Sequence, residues 1–201
     1  MPITLIILAI TCIVSFMALN NRKLMDDLIL WPPAISRRHE YHRLVTYGLV
    51  HADFGHLLFN MITLFFFGRA MEGFYTAQLG TFGFALFYIG ALVVSILPTY
   101  LKNRGNAGYH SLGASGAVSA VLFAYILQAP WSRIIVFVLP MPAIVYAVLY
   151  TAYSIYMDRR GLDRVNHSAH LWGAAYGVLF TVLVNPPVLP YFLGELSHPR
   201  F

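Results

Sequence analysis

Six apolar segments account for most of this chain: roughly Ile3–Leu19, His56–Met71, Thr81–Leu101, Gly113–Gln128, Ile134–Tyr156 and His167–Val184. That feature restricts the fold more than any other. A helix of about 20 apolar residues crosses the roughly 30 Å hydrocarbon core of a bilayer. Inside lipid a backbone must satisfy its own hydrogen bonds, in helices or in a closed barrel. Only 10% of the 201 residues are charged and 59% are hydrophobic, whereas a soluble domain carries about 25% charged residues. The chain therefore reads as an all-α membrane protein of six transmembrane helices, one domain over residues 1–201, with a long first loop at residues 20–53.

The segments differ in length. The third and fifth are long enough to span, but the second and fourth hold only about 16 residues, or roughly 24 Å of helix. A short helix among longer ones can begin below the membrane surface if its leading loop is buried in protein or lines a wet cavity. Gly113-Ala114-Ser115-Gly116 opens the fourth segment, so Ser115 is expected below the surface yet within reach of water. The first segment has no Lys or Arg before Arg22. It lacks the basic start of a signal peptide and is read as a transmembrane helix. Asp53 and Ser111 are the expected N-caps of the second and fourth helices, and Trp31, Tyr41 and Tyr47 are expected interface anchors.

The net charge is +5, and the basic residues flank apolar segments. That favours anionic lipid as a partner and not nucleic acid. Ten Lys/Arg lie in the loops after segments one, three and five, including Arg159, Arg160 and Arg164. Three lie on the other side, Arg69, Arg133 and Arg200. By the positive-inside rule alone the first loop would be cytoplasmic. The single cysteine, Cys12, can form neither an internal disulfide nor a cysteine-based metal site.

Polar, reactive groups inside a bilayer are functional by default. Gly-Ala-Ser-Gly on its own is explained by close helix packing. His170, in Ala169-His170-Leu171-Trp172-Gly173, changes the reading. Gly173 and Gly177 form a Gly-x-x-x-Gly face, and Gly113, Gly116, Ala117 and Ala120 offer a matching one. If these faces meet, Ser115 and His170 come within hydrogen-bonding distance, as a nucleophile and its base. His56 and Asn60, at i and i+4, share one helix face. They are either polar contacts between helices or donors for a tetrahedral oxyanion, where each donor is worth about 3–4 kcal/mol of barrier. The Ser115 N–H, at a helix start, is a third donor. Asp158 and Asp163 lie in a loop and Glu72 at the far end of the second helix, so a dyad is expected, not a triad. His51, His56, His110, His167 and His170 could in principle bind zinc. The His-Glu-x-x-His pattern is missing, and neither metal nor organic cofactor is expected.

Together these residues resemble the rhomboid family of intramembrane serine proteases. The resemblance runs over about residues 40–180. It is carried by His42-Arg43-Leu44-Val45-Thr46-Tyr47, His51, His56-Leu57-Leu58-Phe59-Asn60-Met61, Phe67-Gly68, Glu72, Gly113-Ala114-Ser115-Gly116 and Ala169-His170-x-x-Gly173, in that order. It implies a six-helix rhomboid-like bundle with Ser115 as nucleophile and His170 as base. His56, Asn60 and the Ser115 N–H would hold the oxyanion, Arg43 would order the first loop, and Gly113, Gly116, Gly173 and Glu72 would support the site. The fifth helix and the loop after it would gate substrate entry. Implied substrates are single-span membrane proteins with a small residue before the cut and a helix-weakening stretch beyond it. No oligomeric state is implied, and the expected location is a bacterial inner membrane.

Three departures stand out. The family often has Trp where this chain has His42. An aromatic residue commonly packs on the catalytic histidine from the position of Ser119, so His170 is either held more loosely or oriented by another ring. The family's topology also puts the first loop outside the cytoplasm, against the charge count. We follow the family there, because Arg43 is explained by structure instead of by insertion. Two rivals are a catalytically inactive relative that binds or escorts membrane proteins, and a small transporter with His56, Asn60 and His170 lining a path.

Overall fold

In the computed structural model the described residues are 2–136, 139–161, 163 and 165–199. Arg164 and Arg200 of the charge count lie outside them. The first helix, α1 (Ile3–Leu19), leads into a loop that is itself folded. It forms α2 (Arg22–Leu28), α3 (Pro32–Arg38), the single turn α4 (Arg43–Thr46) and a 3-10 turn at Tyr47–Leu49. The local chemistry dictates these starts. The Asn21 side chain accepts from the Leu24 N–H at 3.1 Å, and Pro32-Pro33 pre-set the first turn of α3.

The Asp53 side chain accepts from the His56 N–H at 2.8 Å and starts α5 (Phe54–Thr63) as expected. The helix does not stop near Met71. It continues through a π-turn at Leu64–Gly68 into α6 (Arg69–Leu79), 26 residues in all. The second segment is therefore not short. The chain tolerates its charges because they have partners. Glu72 accepts from the backbone N–H groups of Ile3 and Thr4, capping α1, and the Arg69 guanidinium lies over the Phe65 ring at 5.4 Å.

Helix α7 (Gly83–Lys102) follows, then α8 (Ser115–Gln128), which at 14 residues is short as expected. The fifth segment differs from expectation. Residues Arg133–Val136 (β1) and Leu139–Pro142 (β2) pair as an antiparallel hairpin, and α9 (Ala143–Arg160) begins only after Pro142. Pro140 and Pro142 lack the N–H that a helix interior needs, and Ile134-Ile135-Val136 are β-branched. Next, α10 (His167–Val184) bends by 117° into α11 (Val188–Leu196) at Asn185-Pro186-Pro187. The described residues are thus mostly helical, with one small hairpin. Among the described residues, the span Phe54–Leu79 and α7 are each long and apolar enough to cross a bilayer; the bent α10–α11 pair is a third candidate, and α1 and α8 are shorter apolar helices.

Helix α8 is the axis, with ten of its 14 residues buried, while α9 buries three of 18. The glycine faces of α8 and α10 meet. A Cβ on Gly173 would collide with the Gly116 carbonyl, and one on Gly177 with that of Ala120. Lipid is as apolar as leucine, so burial of apolar surface contributes little here, and close packing with interhelical hydrogen bonds carries the association. Those bonds, about 0.6 kcal/mol each on average, include Tyr75 Oη to Thr181 Oγ1 at 2.7 Å and Tyr47 Oη donating to the Leu92 carbonyl at 2.8 Å. Large apolar side chains such as Leu183, Phe82 and Phe66 point outward.

Candidate active site

The loop before α8 is tied down on both sides. Gly113 has φ +108°, a backbone region that glycine enters without strain. Its N–H donates to the Tyr47 carbonyl at 2.9 Å, and a side chain there would strike the His56 ring. Ser111 is not the N-cap. Its backbone bridges to Leu30 in both directions, at 2.9 and 3.1 Å, and its hydroxyl accepts from Asn166 Nδ2 at 3.4 Å. It joins the first loop to the third.

His51 is fully buried beneath this loop. The Ala114 N–H donates to its Nε2 at 3.3 Å, and its Nδ1 lies 2.9 Å from Ser15 Oγ, which donates to the Leu49 carbonyl at 2.8 Å. An amide can only donate, so Nε2 accepts and Nδ1 carries the proton. The chain of bonds from α1 to the residue before Ser115 is then complete. The residues alone suggested His51 only as a metal ligand, because its partners lie 36 and 63 positions away.

Ser115 is the first residue of α8 and His170 the fourth of α10. Ser115 Oγ and His170 Nε2 are 2.7 Å apart, and both residues are half-buried. The close approach depends on the glycine contacts one residue after Ser115 and three after His170. The His170 ring is covered by Tyr150 of α9, at 5.9 Å between centroids and 24° between planes. Tyr150 Oη is 2.6 Å from Ser119 Oγ. An aromatic ring thus packs on the histidine from another helix, as one of the two expectations for Ser119 allowed.

Asp163 does not reach His170. It lies 3.1 Å from His167 Nε2, whose hydrogen bond holds the carboxyl below its ordinary range. His167 in turn stands edge-on to His170 at 5.7 Å. On α5, His56 sits edge-to-face with His51 at 4.9 Å, beside the Gly113 loop. Asn60 is buried, and its amide donates to the His56 carbonyl of its own helix at 2.9 Å. Arg43 is buried in the first loop. Its guanidinium donates to Glu40 at 2.6 Å and to the Asp26 and Ile29 carbonyls at 2.7 and 2.8 Å. That hydrogen bond draws the Glu40 carboxyl below its usual range.

Fold and site together define a class: helical proteins built for a bilayer around a half-buried serine–histidine pair. A rhomboid-domain sequence model matches residues 38–187, and the chain belongs to the rhomboid family of integral membrane proteins, which includes both proteases and inactive members. It is similar to the mitochondrial RHOMBOID-like protein 12 of Arabidopsis thaliana, 29% identical over 69% of this chain and 45% of that protein. It is similar to the rhomboid-type protein YdcA of Bacillus subtilis, 26% identical over 78% of this chain and 77% of that one. The human mitochondrial presenilin-associated rhomboid-like protein is 31% identical over 65% of this chain and 34% of its own length. The chain thus spans less than half of the two organellar relatives and about three quarters of the bacterial one.

Proposed function

We propose that this protein is an intramembrane serine endopeptidase that cleaves single-span transmembrane proteins. The observation that carries the reading is the 2.7 Å contact between Ser115 Oγ and His170 Nε2, the distance and the atoms a general base needs. His170 takes the hydroxyl proton as Ser115 attacks the scissile carbonyl. The oxyanion is met by the Ser115 N–H at the start of α8, with His56 and Asn60 as side-chain donors. His170 then protonates the leaving amine, and water hydrolyses the acyl-enzyme. A substrate helix hides its carbonyls in hydrogen bonds, so it must unwind before the attack.

In this reading the chain is one domain of six spans, with the bent and short helices α1, α8, α9 and α10 crossing alongside the two longer ones. The first loop lies outside the cytoplasm. The buried Arg43, with three bonds in the loop, supports that by removing one of the charges behind the opposite assignment. Arg43, Glu72 and the glycines at 113, 116 and 173 serve as support. A bacterial cell membrane is the proposed location, since the bacterial relative named above is matched over most of its length. The lack of a ring at Ser119 would favour the inactive alternative, and Tyr150 supplies a ring on His170 that Ser119 cannot.

Fluorophosphonate labelling in detergent tests the reading without a known substrate. The wild-type protein should label, and Ser115→Ala and His170→Ala should lose labelling by about a thousandfold or more. A folded wild-type protein that never labels, with a soluble peptide substrate also left intact, would overturn it.

A further inference from the structure

Helix α9 meets the rest of the molecule along a narrow stripe. Its buried residues are Ala143, Ala147 and Ser154, two of them with almost no side chain to interlock. Position 150 falls on the same stripe, between 147 and 154, at helical spacing. Tyr150 is, with Ile144, Tyr146 and Tyr153, one of the large side chains through which α9 meets its neighbours, and the one that reaches His170. Its ring lies nearly parallel to the His170 imidazole, and its hydroxyl bonds Ser119, one turn after Ser115. Tyr146 also stacks on the ring at 5.4 Å and Phe123 leans on it at 5.9 Å, so the ring has several aromatic neighbours.

One side chain on the least-buried of the long helices thus touches both helices of the dyad. With no carboxylate bonded to His170 among the described residues, its imidazole is oriented by Ser115 and by what packs on it. We propose that Tyr150 is the positioning residue for His170, anchored through Ser119, so that the base is oriented only while α9 is seated against α8 and α10. This rests on reading Ser115 and His170 as the catalytic pair. Movement of α9 away from the bundle would take the ring with it and leave the imidazole free to turn from Ser115. Catalytic competence and the docking of α9 are then one event.

The test uses the full-length protein in detergent, with Tyr150→Phe, Tyr150→Leu and Ser119→Ala, each checked by thermal melting. Two quantities are read. One is the saturation kinetics of fluorophosphonate labelling. The other is the 13Cε1 relaxation of His170, assigned by its loss in His170→Gln. Tyr150→Leu should lower the maximal labelling rate by about ten- to a hundredfold, the scale of a misplaced catalytic group, with half-saturation unchanged and new motion at His170. Tyr150→Phe keeps the ring but loses the bond to Ser119, so its labelling should stay within a few-fold of wild type and its His170 motion should match that of Ser119→Ala. Ser119→Ala should loosen His170 to an intermediate degree. A Leu variant that labels like wild type with a rigid His170 would overturn the proposal and leave the protease reading standing. If Tyr150→Leu does not fold, wild-type behaviour in Ser119→Ala overturns the part assigned to α9 seating. If the wild type does not label but His170 still loosens in Tyr150→Leu, the protease reading fails and the positioning role stands.

Discussion

Gly173 packs so closely on Gly116 that a single added carbon would overlap the Gly116 carbonyl oxygen. The contact lies directly behind the 2.7 Å approach of Ser115 to His170. Helix spacing and dyad geometry are therefore one constraint. Gly173→Ala must push α10 from α8, at about 1–3 kcal/mol for an overpacked site, and carries His170 outward. The expected result is a lower melting temperature and near-complete loss of fluorophosphonate labelling. Gly161→Ala, at the end of α9 where a Cβ meets nothing within 4 Å, should leave labelling near wild type despite its strained positive φ.

The Glu40–Arg43 pair gives the first loop a pH dependence with a definite sign. Arg43 holds the Glu40 carboxyl below its usual value. A depressed folded-state pKa stabilises fully above the unfolded value of about 4.3 and is lost as pH falls through the folded one. Melting curves from pH 7 to 3 should show wild type losing more stability than Glu40→Gln below about pH 4.3. Parallel curves would remove the pair as the cause.

Asn60 spends part of its amide on the His56 carbonyl, so its contribution to an oxyanion is shared with His56 and the Ser115 N–H. Asn60→Ala should slow labelling or cleavage by about tenfold to a hundredfold, at or below the low end of the 10²–10³ that loss of one fully committed oxyanion donor costs. The effect should appear in the maximal rate and not in half-saturation.

His51 acts through Ala114, the residue before the nucleophile. His51→Phe keeps an aromatic ring, somewhat larger than the imidazole, but leaves the Ala114 N–H and Ser15 buried with a bond missing, at roughly 1–3 kcal/mol for each unsatisfied group. Amide exchange at Ala114 should accelerate in this variant, and labelling should fall in step with it.

Much of the site could be read before any fold was known. Asp53 announces the start of α5, and the small residues around Ser115 and His170 mark two faces that can meet. The hairpin at residues 133–142 could not be read, because an unbroken apolar run carries no period and its prolines sit where a helix start would also accept them. Nor could the length of the second helix. Arg69 and Glu72 look like an end, and Glu72 is tolerated only because its partners are backbone amides 68 and 69 positions earlier.

By itself the sequence determined the solvent, the presence of the apolar segments, the Asp53 cap and the close-packing faces. Each of these follows from short-range sterics or from the transfer of local groups into lipid. Only the tertiary structure decided that Tyr150 covers His170, that His51 links α1 to the serine loop and that Ser111 bridges two loops. Those pairings join residues far apart in the chain, such as Ser119 and Tyr150 at a separation of 31. Their partners are chosen by where the packed helices place the backbone, and no local pattern encodes that placement.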